Sequence, residues 1–95
     1  MKFAAIIEYG GAGDALKAHH AAHRTYLRTF LESGQLRAAG PFADDTGAIW
    51  VLDADSLEAV EGIVKADPLV DAGVIKSWKI RPLAYWSAQE AKGAR

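Results

Sequence analysis

The chain's three histidines, His19, His20 and His23, fall within one short stretch, His19-His20-Ala21-Ala22-His23-Arg24-Thr25-Tyr26-Leu27. Imidazole changes charge near physiological pH, so such a cluster has three chemical uses: metal ligation, proton transfer, or a satisfied structural hydrogen bond. His19 and His23 are four apart, a spacing that presents two nitrogens from one helical face. An H-E-x-x-H pattern is absent, however, and no carboxylate on the same helix completes a ligand set, so no native metal site is expected. Leu16, Leu27, Phe30 and Leu31 mark the stripe that should pack inward, and His20 and His23 fall on or beside it. An imidazole aimed at a core is either structural or part of a site.

The elements that must hold these side chains follow from the pattern. Lys2–Tyr9 reads as a strand with both faces largely apolar, ended by Gly10-Gly11-Ala12-Gly13. Asp14 is placed to cap a helix that runs to about Ser33, with Gly34 as its stop. Gln35–Phe42 reads as a short second strand, Asp44-Asp45-Thr46-Gly47 as a turn, and Ala48–Asp53 as a third strand with Ala48, Trp50 and Leu52 on one face. Asp55 and Glu58 form a capping-box variant opening a second helix, with Leu57, Val60, Ile63 and Val64 as its stripe. Pro68 ends that helix near Ala66, leaving 67–73 as a loop or short turn. Val74–Leu83 is a fourth strand, and the polar stretch 87–95 is expected to fray.

The order βαββαβ is the signature of a ferredoxin-like α+β domain: a four-stranded antiparallel sheet, strand order 4-1-3-2, with both helices on one face. Strands one and three are apolar on both faces, as central strands should be, whereas strands two and four carry the charges expected of edges. The helix-free face is then apolar too, through Ala4 and Ile6 or Phe3 and Ile7 with their partners on strand three. An exposed apolar face of that size calls for a second copy packed sheet against sheet, so a homodimer of the dimeric α+β barrel type is predicted. Trp78, Tyr85 and Trp86 read as core or interface packing.

Composition narrows the function classes. With 95 residues the chain is one domain, taken as 1–86, followed by the tail. No cysteine is present, so disulfides and thiolate metal sites are excluded. The N-terminal apolar run is too short for a signal peptide, and no segment approaches a membrane span. A net charge of −1 gives no basic footprint for nucleic acid. Trp50 alone replaces the stacked aromatic set of RNA-binding domains built on this fold. The glycine-rich Gly10–Gly13 lacks the G-x-G-x-x-G spacing, and Asp14 would repel a phosphate there; no cofactor is expected. A cytoplasmic protein without nucleic-acid or membrane partners is the simplest reading.

Several elements together carry a resemblance. His23-Arg24-Thr25-Tyr26-Leu27, Ser33-Gly34-Gln35-Leu36, Ala39-Gly40-Pro41-Phe42, Gly47, the helix from Ser56, Ala66-Asp67-Pro68-Leu69, Ala72-Gly73 and Ile80-Arg81-Pro82 resemble the YciI (YCII-related) family. The likeness runs from strand one to Pro82. It implies a dimeric α+β barrel similar to muconolactone isomerase-like enzymes, and a small pocket in which a histidine and an aspartate form a catalytic dyad. Residue by residue these are His23 and Asp67, with His20, Gly40 and Pro41 as substrate-binding positions. Many members carry arginine where this chain has His20, a departure that counts against an anion-binding role there. Ser77, with Arg81, is expected to face the same pocket from strand four.

A carboxylate beside an imidazole fixes its tautomer and favours its charged form, which suits His23 to general acid or base work with Asp67 as its orienter. Two functions follow. One is a proton-transfer enzyme, an isomerase or lyase acting on a small polar or aromatic molecule such as a hydroxylated ring or lactone. The other is a non-catalytic ligand-binding or dimerisation module in which the pair is a structural hydrogen bond.

Overall fold

The computed structural model describes residues 1–11 and 13–84; Ala12, Tyr85, Trp86 and the expected tail lie outside the described residues. The elements are β1 (Lys2–Tyr9), α1 (Gly13–Ser33), β2 (Leu36–Pro41), β3 (Gly47–Asp53), α2 (Leu57–Lys65), α3 (Pro68–Asp71) and β4 (Ile75–Leu83). All pairings are antiparallel and the strand order is β2-β3-β1-β4, the arrangement the sequence pattern predicts.

Strand alternation decides what the sheet covers. Phe3, Ala5 and Ile7 of β1 and Ala48, Trp50 and Leu52 of β3 are buried in one cluster beneath the helices, together with Leu27 of α1 and Val60 and Val64 of α2. Their neighbours on the other face are only partly covered: Ala4, Ile6 and Val51 are half-buried, and Ile49 is exposed. The sheet therefore has a covered face and an open one. In the register, Trp50 lies opposite Ala5 on β1 and Ala39 on β2, so two alanines leave room for one indole. Gly47 opens β3 where the strands approach most closely. A Cβ there would be driven into the Ile7 carbonyl, so only glycine fits.

Local signals set most ends. Gly34 takes φ 85° just past Ser33 and closes α1. The Asp44 carboxylate accepts from Thr46 N at 3.1 Å and from the Thr46 hydroxyl at 2.7 Å. These bonds hold the Asp44 pKa down and fix the β2–β3 loop. Three expectations need correction, the α2 cap and the burial of Leu31 and Leu57. The cap of α2 is Ser56, whose hydroxyl accepts from Ala59 N at 3.1 Å, because the helix starts one residue later than an Asp55 cap requires. Leu31 and Leu57 are exposed, at 49% and 37%, since both lie off the inward stripe of their helices. The stretch after Ala66, expected as a loop or short turn, takes the second form as the one-turn α3, with Asp67 as its cap and Pro68 in its first turn. Among the described residues no helix is long and apolar enough to cross a membrane.

Candidate active site

Asp67 is the one buried charged residue among those described, 1% exposed. Its position follows from local chemistry. The backbone leaves the α2 cap extended at Asp67 (φ -64°, ψ 131°). A residue before proline prefers that region, and Pro68 enters α3 with its φ already helical. Both carboxylate oxygens are used: Oδ1 accepts from Leu69 N at 2.8 Å, and Oδ2 faces His23 Nδ1 at 2.6 Å. A carboxylate only accepts, so Nδ1 carries the hydrogen in this pair. His23 Nε2 is left without a partner among the described residues.

His23 stands on the inward stripe of α1, which reads Leu16, His20, His23, Leu27 and Phe30 at helical spacing. Its side chain is 12% exposed and borders a cavity of about 500 Å³. That volume is within the range of small-molecule sites. The α1 side of the cavity is Leu16, His20, His23, Arg24 and Leu27. Its floor is Ala48 and Trp50 of β3, flanked by Ala39, Gly40 and Pro41 of β2. Tyr9 and Asp45 complete the lining. The His23 ring lies 6.3 Å from that of Trp50 and 6.3 Å from that of His20, tilted to both.

Two tyrosines feel the buried carboxylate. Burial pushes the Tyr9 hydroxyl up, and the Asp67 and Asp45 carboxylates add to the effect, so Tyr9 stays protonated as a donor. Tyr26 is pushed up to about 12, chiefly by burial and then by Asp67. Its hydroxyl donates to Ile63 O at 2.5 Å, pinning α1 to α2, while its ring meets Phe30 edge-on at 5.0 Å. That tilt is the one aromatic pairs favour.

The geometry thus brings together His23, Asp67, His20, Gly40 and Pro41, with Gly40 reaching the cavity by its main chain. Ser77 does not join them. Its hydroxyl donates to Glu8 Oε2 at 2.9 Å, and it pairs with Glu8 across the ladder on the open face. Arg81, opposite Ala4, is on that face too. A register shift between Glu8 and Tyr9 is the cause: Ile75 packs into the core beside Tyr9, and beyond the shift Trp78 and Ile80 take over the covered side. His19 is exposed and does not line the cavity. Sequence reasoning missed Tyr9, Arg24, Asp45 and Trp50 as lining residues. Tyr9 shares strand parity with Phe3, Ala5 and Ile7, and Arg24 follows His20 by one helical turn, so both carried a signal. Asp45 did not: it is a turn residue at φ 60°. No periodicity predicts the direction of such a side chain.

The family described as YCII-related domain matches residues 1–84. The chain belongs to the YCII-related domain family. Uncharacterized protein YjpA of Bacillus subtilis (strain 168) is 42% identical over 67 residues, which cover 66% of this chain and 79% of YjpA. Among solved structures, 5-chloro-2-hydroxyhydroquinone dehydrochlorinase (TftG) from Burkholderia phenoliruptrix AC1100, in complex with 2,5-dihydroxybenzoquinone, superposes with a TM-score of 0.78 at 23% identity, covering 90% of this chain and 96% of that one. Muconolactone isomerase superposes with a TM-score of 0.69 at 15% identity, covering 93% of each chain. Identities this low carry the fold alone: this YCII-related chain shares its α+β fold, with a four-stranded antiparallel sheet, with these two proteins, a dehydrochlorinase and an isomerase.

Proposed function

We propose that this YCII-related protein performs acid/base chemistry on a small polar or aromatic molecule held in the cavity beside His23. His23 Nε2 takes and returns the proton, and Asp67 holds the ring through Nδ1 and stabilises the imidazolium that forms. The observation that carries this reading is the 2.6 Å contact between His23 Nδ1 and Asp67 Oδ2 at the wall of an open cavity. The dehydrochlorinase and the isomerase among its fold relatives support a reaction of the lyase or isomerase type. The substrate class is a small hydroxylated ring or lactone. A homodimer formed through the open sheet face completes the proposal, since burying Ile6, Ile49 and Val51 against a second copy removes apolar surface from water.

A second reading rests on the other bond of the same carboxylate. Asp67 caps α3 through Leu69 N, so the pair can serve as a structural hydrogen bond in a module that binds a ligand without turning it over. The two separate in one experiment. Chlorinated hydroxyhydroquinones and muconolactone-type lactones are screened for turnover with wild type and His23→Gln, alongside the thermal shift each compound produces. Acid/base catalysis predicts turnover that falls by roughly 10²–10⁴-fold in His23→Gln. Binding without turnover, unchanged in the variant, supports the module instead.

A further inference from the structure

Trp50 is 1% exposed, and its indole N–H has no hydrogen-bond partner among the described residues. Yet no buried side-chain nitrogen or oxygen there is sealed off without one. The remaining exposure of Trp50 is therefore at Nε1, and the open space this side chain borders is the cavity under His23. A buried indole N–H normally finds an acceptor; one that meets only open space beside a polar ring is a donor waiting for a ligand.

The rest of the lining has the same polarity. Tyr9 and Arg24 also line the cavity, and neither side chain has a hydrogen-bond or ion-pair partner among the described residues. His20 adds a third polar group, exposed at the rim. Against them stand one acceptor group that lines the cavity, Asp45, and the His23 Nε2 lone pair. Asp67 is already committed to Leu69 N and His23. A wall so rich in donors is complementary to a ligand edge made of oxygen acceptors, and most of all to an oxyanion.

We propose that Trp50 is a ligand-binding donor whose Nε1–H holds an oxygen of the bound ring beside His23, in a cavity that takes the ring as its oxyanion. This inference rests on the acid/base reading and specifies its substrate: a ring hydroxyl or enol next to the exchanging proton. The step balances simply. The O–H bond breaks, its proton moves to His23 Nε2, and the electron pair stays on the ring oxygen, where Trp50 and Tyr9 donate to it and Arg24 supplies positive charge. Trp50 acts here through direct contact with the ligand. The apolar flanks Ala5 and Ala39 fix the indole and leave it no alternative side-chain acceptor on the neighbouring strands.

The test needs no variant in its first arm. The protein is labelled with ¹⁵N, and the indole N–H signal of Trp50 and the imidazole signals of His23 are followed while 2,5-dihydroxybenzoquinone is added. The expected result is a downfield shift of the Trp50 indole proton that saturates together with the His23 change. His23 moving while Trp50 stays still overturns the inference and leaves the acid/base reading standing. Trp50 moving while His23 stays still upholds the donor and removes that reading. If neither moves up to millimolar ligand, both fall. The second arm uses 4-nitrophenol, whose phenolate is coloured: the bound molecule should be ionised about tenfold more than the free one, and Trp50→Phe or Tyr9→Phe should each remove much of that preference. Equal ionisation of bound and free probe contradicts the oxyanion selection. Trp50→Phe is scored only where its amide spectrum matches wild type; Tyr9→Phe, at a half-buried position, provides the second measure.

Discussion

The two faces of this sheet are built from the same strands and nearly the same residue types, yet they do different work. On the covered face, Phe3, Ala5, Ile7, Ala48, Trp50 and Leu52 are buried on the side of α1 and α2, and the buried carboxylate there, Asp67, has both oxygens committed. On the open face, Ala4, Ile6, Ile49 and Val51 stand partly in solvent, and the polar pair Glu8–Ser77 is exposed, so water is an alternative partner for both. The difference comes from the crossovers, which put both helices on one side. Burial turns a carboxylate into a fixed geometric element, because an unpaired charge there is costly. Exposure leaves polar pairs weak and makes apolar side chains the element with consequences, through association.

The comparison breaks most visibly at Asp67. Asp67→Ala removes the His23 partner and the α3 cap together, and should lower stability by about 3 kcal/mol in urea unfolding. Asp67→Asn keeps an oxygen for Leu69 N and should recover part of that loss without restoring activity. A loss near zero for Asp67→Ala would mean that the covered face does not depend on the pair. Next comes Tyr26. Tyr26→Phe leaves Ile63 O without its donor and should cost about 1 kcal/mol. The pH dependence has a definite sign. The folded-state pKa of about 12 lies above the ordinary 10.0, so the folded protein holds this proton longer. Its contribution is complete below pH 10 and is lost as pH rises towards 12. Urea midpoints measured along that alkaline limb should fall in wild type and fall less steeply in Tyr26→Phe.

On the open face the expected effects on stability are smaller and the effect on mass is larger. Ile49 is already exposed. Ile49→Lys should therefore change urea stability by no more than about 0.5 kcal/mol. The same change should convert a dimeric mass in light scattering to a monomeric one. A monomeric wild type at micromolar concentration contradicts the proposed interface. Smallest of all, Ser77→Ala should cost a few tenths of a kcal/mol at most, because the Glu8–Ser77 bond is exposed. It should leave ligand binding at the His23 cavity unchanged.

How much of this was legible beforehand differs between the faces. The sheet order, the long α1 and its Gly34 stop, and the division of β3 into two faces follow from periods of 2 and 3.6, which long patterned segments express clearly, although both faces of β3 being apolar left open which one the helices cover. The His23–Asp67 pairing was legible through family likeness; spacing alone gave no sign that residues 44 positions apart would meet. What stayed hidden had local causes. The one-turn α3 is too short for a period. Ser77 was misplaced because the register shift beside Tyr9 reverses the parity of β4, so alternation read from Ile75 and from Trp78 gives opposite answers. The alternation of β3 placed Trp50 on one face of the strand without any sign that it lines a cavity; its pairing with two alanines and its place in the cavity floor come from the structure.

In the proposed chemistry Asp67 fixes His23 with Nδ1 protonated and Nε2 available to a ligand. Long-range ¹H–¹⁵N correlation spectra of the neutral His23 imidazole read the tautomer directly. The expected result is the Nδ1–H form in wild type and its loss as the sole tautomer in Asp67→Asn. A wild-type spectrum showing the proton on Nε2 would contradict it.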